Sequence, residues 1–251
     1  DRMAHIIAFA GKGGTGKTTM AGLLVRLLVE RKAGSVLAVD ADPNANLGEV
    51  LGLPDGRSIG SILDEVAANA DKIPGGMSKD RYIEYQVQTA VAEGEGFDCL
   101  TMGKPEGPGC YCYVNNVLRN VVEKLIDDYD WVIIDNEAGL EHLSRRTTRR
   151  CDTLLVVTHD TPVALRAAGR ISALADELKI KTGRKLLLVN AAARDTDPAR
   201  FAGIGARYGG RIPVDDAVAH ASADGKPVWS LSKGSPAYRA MQKVVDEMTG
   251  I

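Results

Sequence analysis

Gly11-Lys12-Gly13-Gly14-Thr15-Gly16-Lys17-Thr18 stands between a short apolar run, His5 to Ala10, and a long, mostly apolar stretch, Thr18 to Glu30, whose one glycine is Gly22. The first run reads as a buried strand entering a loop, and the second as a well-buried helix. Between a strand and a helix, the spacing G-x-x-x-x-G-K-S/T makes a loop that cradles phosphate. Its glycines let backbone N–H groups converge on phosphate oxygens, and the helix start adds the positive end of a dipole. Gly11, Gly13, Gly14, Thr15, Gly16, Lys17, Thr18 and Thr19 are therefore the expected nucleotide-binding residues. Lys17 is expected on the β- and γ-phosphates, and the Thr18 hydroxyl on Mg2+.

Buried strands and helices alternate along the rest of the chain. Val36 to Asp40, Phe97 to Met102, Trp131 to Asp135, Thr153 to Thr158 and Leu186 to Asn190 read as further strands. Tyr82 to Thr89 alternates loosely and reads as a candidate strand. Val114, Val117, Leu118, Val121, Val122, Leu125 and Ile126 recur at helical spacing, and Pro162 to Leu178 reads as a helix with proline near its first turn. This order predicts the α/β class, a mostly parallel sheet flanked by helices on both faces. The 251 residues are expected to form a single domain. Leu53 to Gly96 is the least readable part.

Lysine and arginine number 31 against 33 aspartates and glutamates, a formal charge of −2, so no basic field draws nucleic acid or an anionic membrane. No apolar run reaches the roughly 18–20 residues that cross a bilayer. Asp1-Arg2-Met3 lacks the features of a signal peptide, Met3 is read as the natural start, and the chain is expected in the cytoplasm. In that reducing compartment the four cysteines point to metal binding, catalysis or burial rather than disulfides. Cys99 and Cys151 stand alone, while Cys110 and Cys112 form a Cys-x-Cys pair.

Lys12 is the informative departure in the phosphate loop. A second lysine so early resembles the deviant Walker A branch of the P-loop NTPases, which includes MinD, ParA and nitrogenase iron protein. The resemblance implies an ATP- and Mg2+-dependent homodimer in which Lys12 crosses the interface to the partner's phosphates. There it would act as an in-trans cation for the charge that builds during phosphoryl transfer; the alternative is a solvated loop lysine. Val39-Asp40-Ala41-Asp42-Pro43-Asn44 resembles switch I, in which Asp40 helps organise the Mg2+ shell and Asp42 positions or activates the attacking water. Lys12, Lys17 and Asp42 are then the catalytic set. Trp131-Val132-Ile133-Ile134-Asp135 resembles a Walker B strand with Asp135 facing Mg2+ through water, and Gly139 looks like the switch II glycine that senses the γ-phosphate. Asn190 stands where relatives read adenine with an asparagine amide, a turn-capping asparagine being the alternative. Ile212-Pro213-Val214-Asp215 resembles the loop that packs against the base, which brings in Pro213 and Asp215.

Residues two apart in an extended segment point to the same side, so Cys110 and Cys112 can present both thiols to one point. They lie just before a helix whose N-terminal dipole favours the thiolate, the metal-binding form. Two sulfurs are half of a tetrahedral site, and a symmetric dimer supplies four. A disulfide closing a very small ring, two buried structural cysteines and an iron–sulfur cluster between subunits are the competing readings. The run Gly103 to Cys110 is similar to the cluster-cysteine loop of nitrogenase iron protein, but the position matching that family's second cluster cysteine is Ala138.

Gly109-Cys110-Tyr111-Cys112, joined to Asp135-Asn136-Glu137-Ala138-Gly139-Leu140-Glu141-His142, resembles the CooC-type nickel-insertion ATPases that mature carbon monoxide dehydrogenase. Close relatives of those serve acetyl-CoA synthase. The resemblance implies ATP-driven delivery of Ni2+ to apo carbon monoxide dehydrogenase or acetyl-CoA synthase as client. Zn2+ suits the same thiolates. An iron–sulfur electron-transfer ATPase and a MinD- or ParA-like positioning ATPase are the alternatives. Glu137, Glu141 and His142 are open between switch function and ordinary surface roles, and His5, His159 and His220 read as structural. The apolar stripe Met241, Val244, Val245 and Met248 of the last helix reads as packing onto the core.

Overall fold

The computed structural model describes residues 3–42, 44, 46–68, 73–103, 112–137, 140, 150–193 and 197–250, with the backbone alone over 112–119. Strands β1 (His5–Ala10), β2 (Val36–Ala41), β4 (Asp98–Thr101), β5 (Trp131–Asn136), β6 (Arg150–Thr158), β7 (Lys181–Ala192) and β8 (Arg207–Pro213) run parallel. The two-residue β3 (Ala92–Glu93) adds an antiparallel edge, and the order across the sheet is β3-β4-β2-β5-β1-β6-β7-β8. The central strands are apolar throughout because both faces are covered. In β1, Ile6, Ala8 and Ala10 join one core while Ile7 and Phe9 join the other. Helices α1 (Lys17–Glu30) and α8 (Pro236–Thr249), with the short α2 (Leu47–Val50) and α7 (Asp216–Ala223), cover the Phe9 face. Helices α3 (Ile59–Ala68), α4 (Lys79–Ala90), α5 (Cys112–Asp127) and α6 (Pro162–Glu177) cover the opposite face.

The stretch from Tyr82 to Thr89 is a correction: it belongs to α4 and is not a strand. Ile83, Gln86, Val87 and Ala90 are its buried residues, a spacing of three, four and seven that only a helix places on one side. Tyr85, which completes the apparent alternation, is 55% exposed. Ser78 caps the start, its hydroxyl accepting from the Arg81 N–H at 3.3 Å. Strands β6 and β7 begin earlier than their apolar cores, at Arg150 and Lys181, because ladder pairing continues past the buried residues. In the last helix Met241, Val244, Val245 and Met248 are all buried against the sheet. No helix among the described residues is long and apolar enough to cross a membrane.

A buried polar knot fastens α1, which follows the phosphate loop, to the C-terminal part of the chain. The Arg26 guanidinium, 4% exposed, donates to the carbonyls of Val228 and Leu231 at 2.6 and 2.8 Å and to Glu30 Oε1 at 2.8 Å. It also lies 4.7 Å from the centre of the Tyr238 ring. Glu30 Oε2 accepts from the Tyr238 hydroxyl at 2.6 Å and pairs with Lys233 at 3.0 Å. Burial opposes ionisation of Glu30, but the bonds from Tyr238, Arg26 and Lys233 outweigh it and hold the carboxyl down at about 2. A depressed carboxyl contributes stability above its unfolded value and loses it as pH falls toward the folded one. Glu30→Gln is therefore expected to cost about 2 kcal/mol at pH 7. That penalty should shrink as pH falls from 4.5 toward 2, which urea unfolding at the two ends of the window would measure.

Candidate functional site

The phosphate loop leaves β1 at Ala10 and enters α1 at Lys17. Two glycines are dictated by close approach. A Cβ on Gly11 would sit 2.3 Å from the Val157 carbonyl oxygen of β6, and one on Gly16, at φ +87°, would sit 2.3 Å from Asn190 Nδ2. The loop is braced from within and from β7. The Thr15 hydroxyl donates to the Lys12 carbonyl at 2.8 Å, and the Asn190 amide donates to the Thr15 carbonyl at 2.8 Å. The Lys12 side chain is exposed, together with Gly13 and Gly14.

Gly13, Gly14, Gly16, Lys17, Thr18, Thr19 and Asp42 line one cavity of about 520 Å³. Asn44, Asn46, Glu49, Val50, Ser222, Gly225 and Lys226 also line it. Of these, sequence reasoning named only Asn44, within the switch-like stretch. Asn46 follows the switch-like aspartates closely enough to have been found. Ser222 to Lys226 arrive from the far end of the chain and carry no local signal. Lys226 is held by Asp224 at 2.8 Å.

Asp40 and Asp135 end neighbouring strands and are paired across the β2–β5 register. Asp40 is fully buried, its Oδ1 accepting from the Asp42 N–H at 3.1 Å and its Oδ2 from the Leu47 N–H at 2.7 Å. Burial, opposed by those two bonds, pushes its carboxyl up to about 6. Asp135 is 1% exposed and its Oδ1 is buried without a hydrogen-bond partner. Burial pushes it up to about 7, with Asp40 and Asp42 adding to the rise and the Thr18 hydroxyl and Lys17 opposing it. A buried carboxylate oxygen without a donor, beside a hydroxyl and close to a second and third carboxylate, fits a divalent cation with oxygen ligands. Thr18 and Asp135 would hold Mg2+ there. Asp42 lines the phosphate cavity, and its Oδ1 accepts from the Asn44 N–H and from the Asn44 side-chain amide, both at 2.9 Å.

Asn190, Pro213 and Asp215, expected at the base, do not themselves line this cavity. Asn190 braces the phosphate loop, as above. Pro213 pairs with Ala192 at the end of β8 and lines a different groove. The Asp215 carboxylate caps two helices, accepting from Ala217 N–H in α7 at 3.0 Å, from Ala237 N–H in α8 at 2.9 Å and from the Ser235 hydroxyl. Its carboxylate is thus occupied with structure. Gly139, Cys110, Ala138, Glu141 and His142 lie outside the described residues, as does the Cys112 side chain. The backbone of Cys112 already belongs to α5, two residues earlier than the apolar spacing announced, so the extended geometry expected to aim both thiols the same way does not reach it. Cys99 and Cys151 are buried free thiols, each pushed up to about 12 chiefly by burial, and are unsuited to act as thiolates.

Residues 4–188 match the family described as AAA domain. An uncharacterised ATP-binding protein of Methanocaldococcus jannaschii is 38% identical over 248 residues, covering 97% of this chain and 98% of that one. The carbon monoxide dehydrogenase accessory protein CooC of Rhodospirillum rubrum is 30% identical over 239 residues, 90% of each chain. Among solved structures, the septum site-determining protein MinD of Pyrococcus horikoshii, complexed with Mg-ADP, matches with a TM-score of 0.71 at 22% identity, over 98% of this chain and 96% of that one. That last likeness concerns the fold.

Removing the charge of Asp135 separates stability from function. Above pH 7, where the Asp135 carboxyl ionises, Asp135→Asn is expected to raise the melting temperature of the metal-free protein, because a desolvated charge is replaced by a neutral amide. The same change should abolish the extra stabilisation that MgATP gives the parent protein. Thermal melts with and without MgATP check both halves.

Proposed function

Because the chain belongs to the AAA-domain family of MinD- and ParA-like P-loop ATPases, we propose that it is an ATP-driven dimeric metal carrier of the CooC kind. Its cargo would be nickel, held as a substrate by Cys110 and Cys112 of two subunits and delivered to apo carbon monoxide dehydrogenase or acetyl-CoA synthase. The similarity to a carbon monoxide dehydrogenase accessory protein over 90% of the chain supports this, joined to the Cys-x-Cys pair.

The observation that carries the reading is the route from the nucleotide to the cysteines. β4 lies beside β2 with Thr101 in register with Asp40, and the Met102 N–H donates to the Asp40 carbonyl at 2.8 Å. The Met102 carbonyl accepts from Gly60 N–H at 2.8 Å, and Gly103 lies so close to Ser58 that a Cβ there would meet its side chain at 2.6 Å. The stretch that runs on to Cys110 is thereby rooted on the same aspartate whose carboxylate positions Asp42. A shift of the Asp42 segment on nucleotide binding would act on that root, and α5 begins at Cys112 with an N-terminal dipole that favours thiolate.

In the ATPase cycle Lys17 neutralises phosphate charge at the start of α1, and Asp42 orients the attacking water. Lys12, exposed on the loop, reaches the partner's phosphates when two copies close. Thr18 and Asp135 would hold Mg2+, which would supply positive charge to offset the negative charge that develops on the phosphates. Dimer closure gathers four thiolates, and hydrolysis loosens them. If ATP tightens metal binding, metal must tighten ATP binding by the same factor. A MinD- or ParA-like positioning role on membrane is less well supported, since the apolar stripe of α8 is already buried in the core.

Elemental analysis beside native mass tests the carrier. With ATP the expected result is a dimer holding one metal ion. Cys110→Ser/Cys112→Ser should keep nucleotide binding and lose the ion, and one ion per dimer retained in that variant would refute the site. Lys12→Ala should lower turnover by roughly 100-fold or more and abolish ATP-dependent dimerisation. Unchanged turnover would remove the in-trans role.

A further inference from the structure

β8 is an edge of the sheet: β7 pairs with one side, and among the described residues no strand pairs with the other. An edge strand presents N–H and C=O groups that a further strand can complete. Gly209 and Gly210 stand in its middle. Each has an internal reason, since a Cβ would come within 3.0 Å of Leu186 at Gly209 and within 2.9 Å of Val244 at Gly210, where φ is +137°. The register with β7 shifts here, leaving Gly209 as a bulge without a ladder partner, and the two glycines together leave a short length of edge where another backbone can approach.

A groove of about 390 Å³ follows this edge between β8 and α8, with Arg211, Arg239 and Lys243 in its walls and Glu247 at one end. Arg239 and Lys243 are exposed, one turn apart on α8, and neither has an ion-pair partner among the described residues. Arg207 is exposed at the start of the strand. The whole chain carries a formal −2, so this cluster is a local feature and not part of a general basic field.

We propose that the β8 edge is a docking site for an extended acidic segment of a partner polypeptide, which adds a strand to the sheet. Charge selects the occupant. A second copy of this strand carries Arg207 and Arg211 and no carboxylate, so it would bring like charge to a cationic edge. An acidic strand instead meets Arg207, Arg239 and Lys243 with complementary charge. Nucleic acid is a poorer fit, because the groove also carries Glu247, and its one aromatic residue, Tyr208, has its ring stacked on Phe201 at 5.4 Å. The docking site is independent of whether Cys110 and Cys112 carry metal.

The probe is a fluorescein-labelled peptide of alternating glutamate and valine, titrated by anisotropy into the full chain with MgADP. Saturable binding is expected, weakened roughly tenfold in Arg239→Glu/Lys243→Glu while ATP turnover and melting temperature stay at parent values. Two further peptides carry N-methyl groups on one or the other alternate set of amides. One should lose binding and the other keep it, because only one set faces the edge. No binding, equal binding by both methylated peptides, equal binding of a lysine–valine peptide, or equally effective displacement by an oligonucleotide of matching charge would each overturn the proposal.

Discussion

Asp40 and Asp135 stand in register at the ends of neighbouring strands, both almost wholly out of water. Two carboxylates so placed resist ionising together, and each is raised from its ordinary range by burial, with the other's charge adding to the rise at Asp135. The parallel sheet imposes that juxtaposition: β2 and β5 are apolar along their length, so the polar residues appear only where the strands emerge. The rest of the site answers this constraint. Thr18 and Lys17, at the first turn of α1, supply the hydroxyl and the cation nearby, and the phosphate loop delivers them there.

The loop itself is built by contacts between distant strands. Gly11 passes against β6, Gly16 against the end of β7, and the Asn190 amide closes the loop carbonyl at Thr15. α1 is then anchored at its far end by Arg26 and Glu30, whose bonds reach residues more than two hundred positions away. A helix pinned at one end by buried hydrogen bonds and at the other by the loop keeps its N-terminus aimed at the same point. Asp40 adds the link outward: its carboxylate holds the chain as far as Leu47, and its carbonyl holds Met102. Asp42 and the root of the segment leading to Cys110 are therefore hydrogen-bonded to one and the same residue.

Where local reading failed, a partner far along the chain decided the matter. Tyr82 to Thr89 alternates on paper, yet packing against α3 and α5 selects the three-and-four spacing of Ile83, Gln86, Val87 and Ala90. The Asp215 carboxylate is shared by the starts of α7 and α8, the second of which comes from further along the chain. Ser222, Gly225 and Lys226 reach the phosphate cavity only because α7 folds back over it. The spacing that makes α4 a helix lies within the eight residues from Ile83 to Ala90, but the arrival of α7 at the phosphate cavity has no signature in its own segment.

The amino-acid sequence alone determined the class of fold and the phosphate loop. Uninterrupted apolar strands alternating with helices can be buried only as a parallel sheet between two layers, and a glycine-lysine loop at a strand end has one kind of anion to hold. Asp40 and Asp135 could be placed near strand ends from the apolar runs before them, whereas the roles expected of Lys12, Asp40, Asp42 and Asp135 come from the family resemblance. The tertiary structure alone decided which polar groups share a cavity, which carboxylate caps helices and which is left without a donor, and where the sheet stops. Those properties depend on residues brought together across the register of neighbouring strands, and register is set by the packing of the whole core, not by any one segment.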